Sequence, residues 1–153
     1  MKNLSYLSKI VLVAIVAFCI NACDKDEIEV KYDITGDWKV VSYKTSSVIT
    51  KTEENTWSQF NNGDVTVSFT ATDSTNGVIS GRKVTNSFSG DYTIGNNGAI
   101  TISNLLQTLI NEPEWGRLFD SIRSAESYEV RDNRLIIYYN HKKNNITLEK
   151  LNE

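Results

Sequence analysis

The chain has 153 residues, a formal net charge of −3 and only two cysteines, Cys19 and Cys23. This length supports one domain with its own core. An acidic chain without a basic stripe argues against nucleic acid and against electrostatic attachment to anionic lipid.

Residues 1–22 read as a signal peptide. Lys2 and Lys9 precede an apolar run from Ile10 to Ile20. That run suits a secretory h-region and is too short to span a bilayer, which needs about twenty residues. The tetrad Ile20-Asn21-Ala22-Cys23 resembles a bacterial lipobox, with Asn21 where a smaller residue is usual. The resemblance implies cleavage before Cys23 and acylation of its thiol, so that the acyl chains form the membrane contact. Cleavage removes Cys19, two lysines and no acids. The net charge then moves from −3 to −5, and no internal disulfide can form.

Residues 23–32 read as a lipidated flexible tether. Within them Lys25, Asp26 and Glu27 resemble the export tag of surface lipoproteins of the Bacteroidetes type. That resemblance implies an outer-membrane lipoprotein displayed at the cell surface, with the periplasmic face as the alternative.

The globular domain spans residues 33–153. In Asp33–Lys44 the alternation places Trp38, Val40 and Ser42 on one face and Lys39, Val41 and Tyr43 on the other. The polar stretch 50–64 ends in Asn62-Gly63, a favoured hairpin turn, and carries Trp57 and Phe60. These two aromatics can close the core or form an exposed surface for a sugar or an apolar ligand. Residues 64–71 direct Val65, Val67 and Phe69 inward. Residues 78–84 return after the turn at 73–77, residues 86–94 alternate Phe88, Gly90, Tyr92 and Ile94, and residues 99–103 follow the turn at 95–98. Short strands joined by tight turns indicate a meander or barrel.

The period then changes. Asn111 is a candidate cap, Pro113 sits in the first turn, and Trp115, Leu118, Phe119 and Ile122 form one helical stripe. Arg117, Asp120 and Arg123 face away. Three strands close the chain at 127–132, 134–140 and 146–151. The expected fold is α+β and mostly β. It is a curved antiparallel sheet or half-barrel of about eight strands, with one amphipathic helix packed across it.

Residues 79–94, the helix 113–122 and the closing hairpin 125–140 resemble the META/HslJ-type domain of bacterial envelope lipoproteins. Gly81, Asn86, Gly90 and Tyr92 occupy its Gly-x-x-x-x-Asn-x-x-x-Gly-x-Tyr positions, as structural residues. The resemblance covers about residues 34–151 and implies a link to envelope maintenance and stress, without an established reaction. Many members carry a cysteine beside the asparagine and a second near the helix; Thr85 stands here, and the second is absent. Gly36-Asp37-Trp38 also resembles the opening of lipocalin-like barrels.

No catalytic constellation, cofactor fingerprint or metal-ligand cluster is legible. His141 lies in a turn beside Lys142 and Lys143, without a nucleophile or companion ligands nearby in sequence. Glu53-Glu54 and the 73–77 turn read as hydrated loops. The sequence therefore indicates a non-enzymatic binding or interaction domain whose partner is a protein, a glycan or a small apolar ligand. The alternatives are a lipocalin-like carrier of an apolar ligand and, more weakly, an inhibitor of hydrolases.

Overall fold

The computed structural model describes residues 33–151. Cys23, Lys25, Asp26 and Glu27 lie outside the described residues. The strands are β1 (Gly36–Lys44), β2 (Val48–Thr50), β3 (Thr66–Ala71), β4 (Asn76–Arg82), β5 (Ser87–Ile94) and β6 (Ile100–Gln107). A helix, α1, follows. It is α-helical over Glu114–Arg117 and continues as a 3-10 helix over Leu118–Ser124. Strands β7 (Ser127–Arg131), β8 (Arg134–Tyr139) and β9 (Asn144–Lys150) complete the chain.

Every pairing is antiparallel, in the order β6-β5-β4-β3-β1-β9-β8-β7, with the short β2 added to β1. The sheet curls until its two outer strands meet at one corner. Ala99 bridges Ser127, and the Ile100 amide donates to the Glu126 carbonyl at 3.2 Å. Helix α1 covers the remaining opening. Phe119 and Ile122 are buried, and Arg123 Nη1 donates to the Leu105 carbonyl at 2.7 Å. That contact caps part of the β6 edge, which would otherwise invite pairing with another chain.

The period-two readings hold on β3 and β5, where the inward residues are Val67 and Phe69, then Phe88, Gly90 and Tyr92. On β1 the reading breaks. Val40 pairs with Leu148 and Ser42 with Thr147, so Val41 is an extra residue. This bulge reverses the parity beyond it. Tyr43 is fully buried and Ser42 only partly so, the reverse of the expectation from alternation. Asn62-Gly63 does not join two hairpin strands either. Asn61, Asn62 and Gly63 take φ of 50°, 52° and 71° in a 3-10 turn that ends the long loop before β3.

Three of the four motif positions have physical roles within the sheet. Gly81 pairs with Phe88, and a Cβ on it would sit 2.1 Å from the Thr66 carbonyl oxygen and 2.7 Å from Phe88 Cζ. Gly90 faces the second bulge, where Asn104 takes φ 50° and donates through Nδ2 to Asp91 Oδ2 at 2.8 Å. A Cβ there would lie 2.8 Å from the Ser103 oxygen. Tyr92 meets Phe69 edge-on at 5.4 Å, a favoured aromatic geometry in the core.

Helix α1 keeps the predicted stripe. Trp115, Phe119 and Ile122 are buried and Leu118 is half-buried against them. Its start differs from the expectation. Pro113, not Asn111, is the cap residue. The Asn111 carbonyl instead accepts from the Thr85 hydroxyl at 3.0 Å. Asp120 does not simply face away, because it pairs with Lys83 Nζ at 3.0 Å.

Candidate functional site: a buried clamp behind an exposed apolar tip

The turn between β4 and β5 carries Lys83, Val84, Thr85 and Asn86, and it is unusually dry for a turn. Lys83 and Asn86 are each 2 % exposed. Asn86 uses its whole side chain. Its Nδ2 donates to Glu112 Oε2 at 2.6 Å and to the Ile110 carbonyl at 2.8 Å. Its Oδ1 accepts from the Ile110 amide at 2.7 Å and from the Thr108 hydroxyl at 2.9 Å. An asparagine can do this because it presents two donors and two acceptor lone pairs on one rigid amide.

Glu112, 7 % exposed, supplies the opposite wall. Its carboxylate accepts from the Asn86 amide at 3.0 Å, the Thr85 amide at 3.3 Å and the Thr85 hydroxyl at 2.8 Å. A buried carboxylate persists when hydrogen bonds replace its water. Space for it comes from Gly116. A Cβ there would lie 1.9 Å from Glu112 Oε1. The clamp thus fastens the segment between β6 and α1 to the β4–β5 turn.

Outside this clamp the end of β6 and the segment that follows it are greasy. Leu106, Leu109 and Ile110 are 77 %, 90 % and 60 % exposed. Leu106 also lines a shallow surface depression with Ser87, Phe88, Ser89, Gln107 and Thr108. Single exposed leucines are common on surfaces, whereas three large aliphatics within five residues form a patch of the kind used for contact. Both Ile110 backbone groups end on Asn86, so this apolar tip is held in place.

The other sequence candidates stay apart. Trp57 is half-buried against the core, and Phe60 is exposed at the end of the same turn. They line one loop and do not join the tip. Tyr138 is half-buried, donates to Glu129 and carries Lys142 above its ring at 5.8 Å. Burial first, and then the Glu129 contact, push its hydroxyl pKa up to about 12. His141 is exposed in its turn at φ 55°. Asp73 folds back on the Thr75 and Asn76 amides at 2.8 Å each, which lowers its pKa to about 2. Among the described residues no group of three or more His, Cys, Asp or Glu could hold a metal ion, and no helix is long and apolar enough to cross a membrane.

Sequence reasoning missed Glu112, Lys83 and the tip. Asn86 was reached only through the family pattern, which is silent about its partner. Leu109-Ile110 did carry a signal. It is an apolar pair that neither a strand alternation nor the helical stripe absorbs.

A curled antiparallel sheet plugged by one short helix, with a buried asparagine at the turn before β5, defines a class of small β-rich domain. A profile of the META domain matches residues 32–151, and the chain belongs to that family. The family is not one with a known enzymatic activity. Among solved structures, a DUF4847 family protein from Bacteroides vulgatus ATCC 8482 is similar, at 14 % identity and a TM-score of 0.56. The match covers 78 % of this chain and 94 % of that one, and shows a shared fold. No curated protein matches the sequence.

Proposed function

We propose that this META-domain chain is a lipid-anchored, non-enzymatic interaction module of the outer membrane, displayed at the cell surface. Its docking element is the tip formed by Leu106, Leu109 and Ile110. The observation that carries this reading is the pairing of their exposure with the buried Asn86–Glu112 clamp that fixes the Ile110 backbone. A rigid apolar anchor loses little freedom on binding, which is what a contact surface needs.

Connectivity supports the arrangement. An anchor on Cys23 joins the domain at Asp33 through ten tether residues, 23–32. Asp33 and Ile34 lie beside Tyr92 and Ile94, at one end of β5. The clamp lies at the other end, where Phe88 pairs with Gln107. About six residues of strand separate them, ~20 Å. The tip therefore sits at the end remote from the tether, free to meet a partner. The carrier alternative needs a hollow interior. Here the inward positions are filled by packed side chains such as Val67, Phe69, Ile79, Leu135 and Ile146.

Single-cysteine crosslinking tests the proposal, because in an acylated mature chain an introduced thiol is the only free one. Leu109→Cys in living cells should give one discrete adduct with a membrane-permeant thiol–amine crosslinker. Ser74→Cys, on the exposed β3–β4 turn at the tether end, should give none and should react with impermeant maleimide on intact cells. No adduct at Leu109, or the same adducts from both positions, contradicts the docking role. Protection of Ser74→Cys from the impermeant reagent contradicts surface display.

A further inference from the structure

We propose that the cleft beside Asp33 binds a small aliphatic primary ammonium, held by the Asp33 and Asp73 carboxylates and the Tyr92 hydroxyl. The site lies at the end of β5 opposite the docking tip and is independent of it. The cleft has a volume of about 280 Å³, and Ile34, Ala71 and Ile94 supply its apolar wall. Tyr92 packs its ring edge-on against Phe69, and the residue is only 2 % exposed. Its hydroxyl has no hydrogen-bond partner among the described residues. The Tyr43 hydroxyl is sealed in the core, whereas that of Tyr92 opens into the cleft. An unpartnered hydroxyl on a side chain otherwise buried points to a ligand that completes its bonding.

The rest of the site selects a cation. Burial, and then the Asp33 and Asp73 carboxylates, raise the Tyr92 pKa, so both carboxylates act on the hydroxyl although it donates to neither. Both are ionised at neutral pH. Hydrogen bonds from Thr35 lower the pKa of Asp33, and those from Thr75 and Asn76 lower that of Asp73. These bonds fall mainly on Oδ1. Asp33 Oδ2 accepts none among the described residues, and Asp73 Oδ2 accepts only from Asn76 Nδ2 at 3.1 Å. Neither carboxylate has a salt-bridge partner among the described residues. Lys150, the cation that acts on Asp33, holds its Nζ above the Trp38 ring. An ammonium carries three donors and no acceptor, one for each of the three oxygens. The apolar wall accepts a short hydrocarbon behind it. A phosphate or carboxylate close to the nitrogen would be driven toward the same two carboxylates, which disfavours phosphoethanolamine headgroups and amino acids.

Three backbone amides report the site in the purified full chain labelled with ¹⁵N. Thr35 is bonded to Asp33 Oδ1, and Thr75 and Asn76 are bonded to Asp73 Oδ1. Titration with n-butylammonium chloride should shift all three saturably and leave the Asn86 amide, in the clamp, in place. Sodium chloride at matched ionic strength, n-butanol and phosphoethanolamine should each give smaller, unsaturable shifts. Tyr92→Phe keeps the ring packing and removes one acceptor, so it should weaken n-butylammonium binding about fivefold. Asp73→Asn keeps the Oδ1 that orders its turn and removes the charge, so it should weaken binding about tenfold or more. An absent or unsaturable shift with n-butylammonium overturns the proposal. Equal binding of sodium or n-butanol overturns the ammonium class, and tighter binding of phosphoethanolamine assigns the cleft to a headgroup instead. Unchanged affinity in either variant refutes the three-oxygen site.

Discussion

Asn86→Ala should destabilise the domain by about 3–5 kcal/mol, the range expected when a buried hydrogen-bond network loses its hub. The methyl that replaces the amide strands the Ile110 N–H, the Ile110 carbonyl and the Thr108 hydroxyl. It also takes one donor from the buried Glu112 carboxylate. Stability of a domain this size is of the order of 5–15 kcal/mol, so the variant should sit near its unfolding threshold at 37 °C. Asn86→Asp should be as damaging, since it sets a second carboxylate 2.6 Å from Glu112 Oε2 and loses both Nδ2 donors. Urea unfolding of both variants measures this. A loss under 1 kcal/mol for either would show that the clamp is dispensable to the fold.

Phe119→Ala should cost a similar amount, about 3–5 kcal/mol, for a different reason. Phe119 is buried and packs against Phe88 with ring centroids 5.1 Å apart. It is the side chain by which α1 closes the open seam of the sheet. Truncation leaves a cavity beneath a helix of only eleven residues, mostly 3-10, which Trp115, Ile122, Asp120 and Arg123 hold against settling inward. A change below 1 kcal/mol in urea would contradict the closure of the seam by this helix.

The parts of the fold legible in the sequence are those set by local period. Val65, Val67 and Phe69, or Phe88 and Tyr92, alternate because each strand has one buried face. Trp115, Phe119 and Ile122 recur because α1 has one buried stripe. The stripe could not reveal that most of α1 winds as a 3-10 helix, since the same residues serve both windings. The inward turn of Tyr43 was hidden because the Val41 bulge exists only in the register between β1 and β9. The clamp was half visible. Asn86 stood out through its family pattern, but Glu112 is joined to it across a long separation in sequence, by geometry that no spacing rule records. The family assignment came through the order of elements and the spacing of Gly81, Asn86, Gly90 and Tyr92.

The docking role requires a tip that is rigid while its side chains face water, and amide hydrogen exchange at Ile110 measures that rigidity. Its N–H donates to Asn86 Oδ1 at 2.7 Å although the Ile110 side chain is 60 % exposed. Exchange there should be slowed by about a thousandfold or more against an unstructured peptide, with the protection abolished in Asn86→Ala. Exchange at Ile110 as fast as in a free loop, in the unaltered chain, would contradict the docking role.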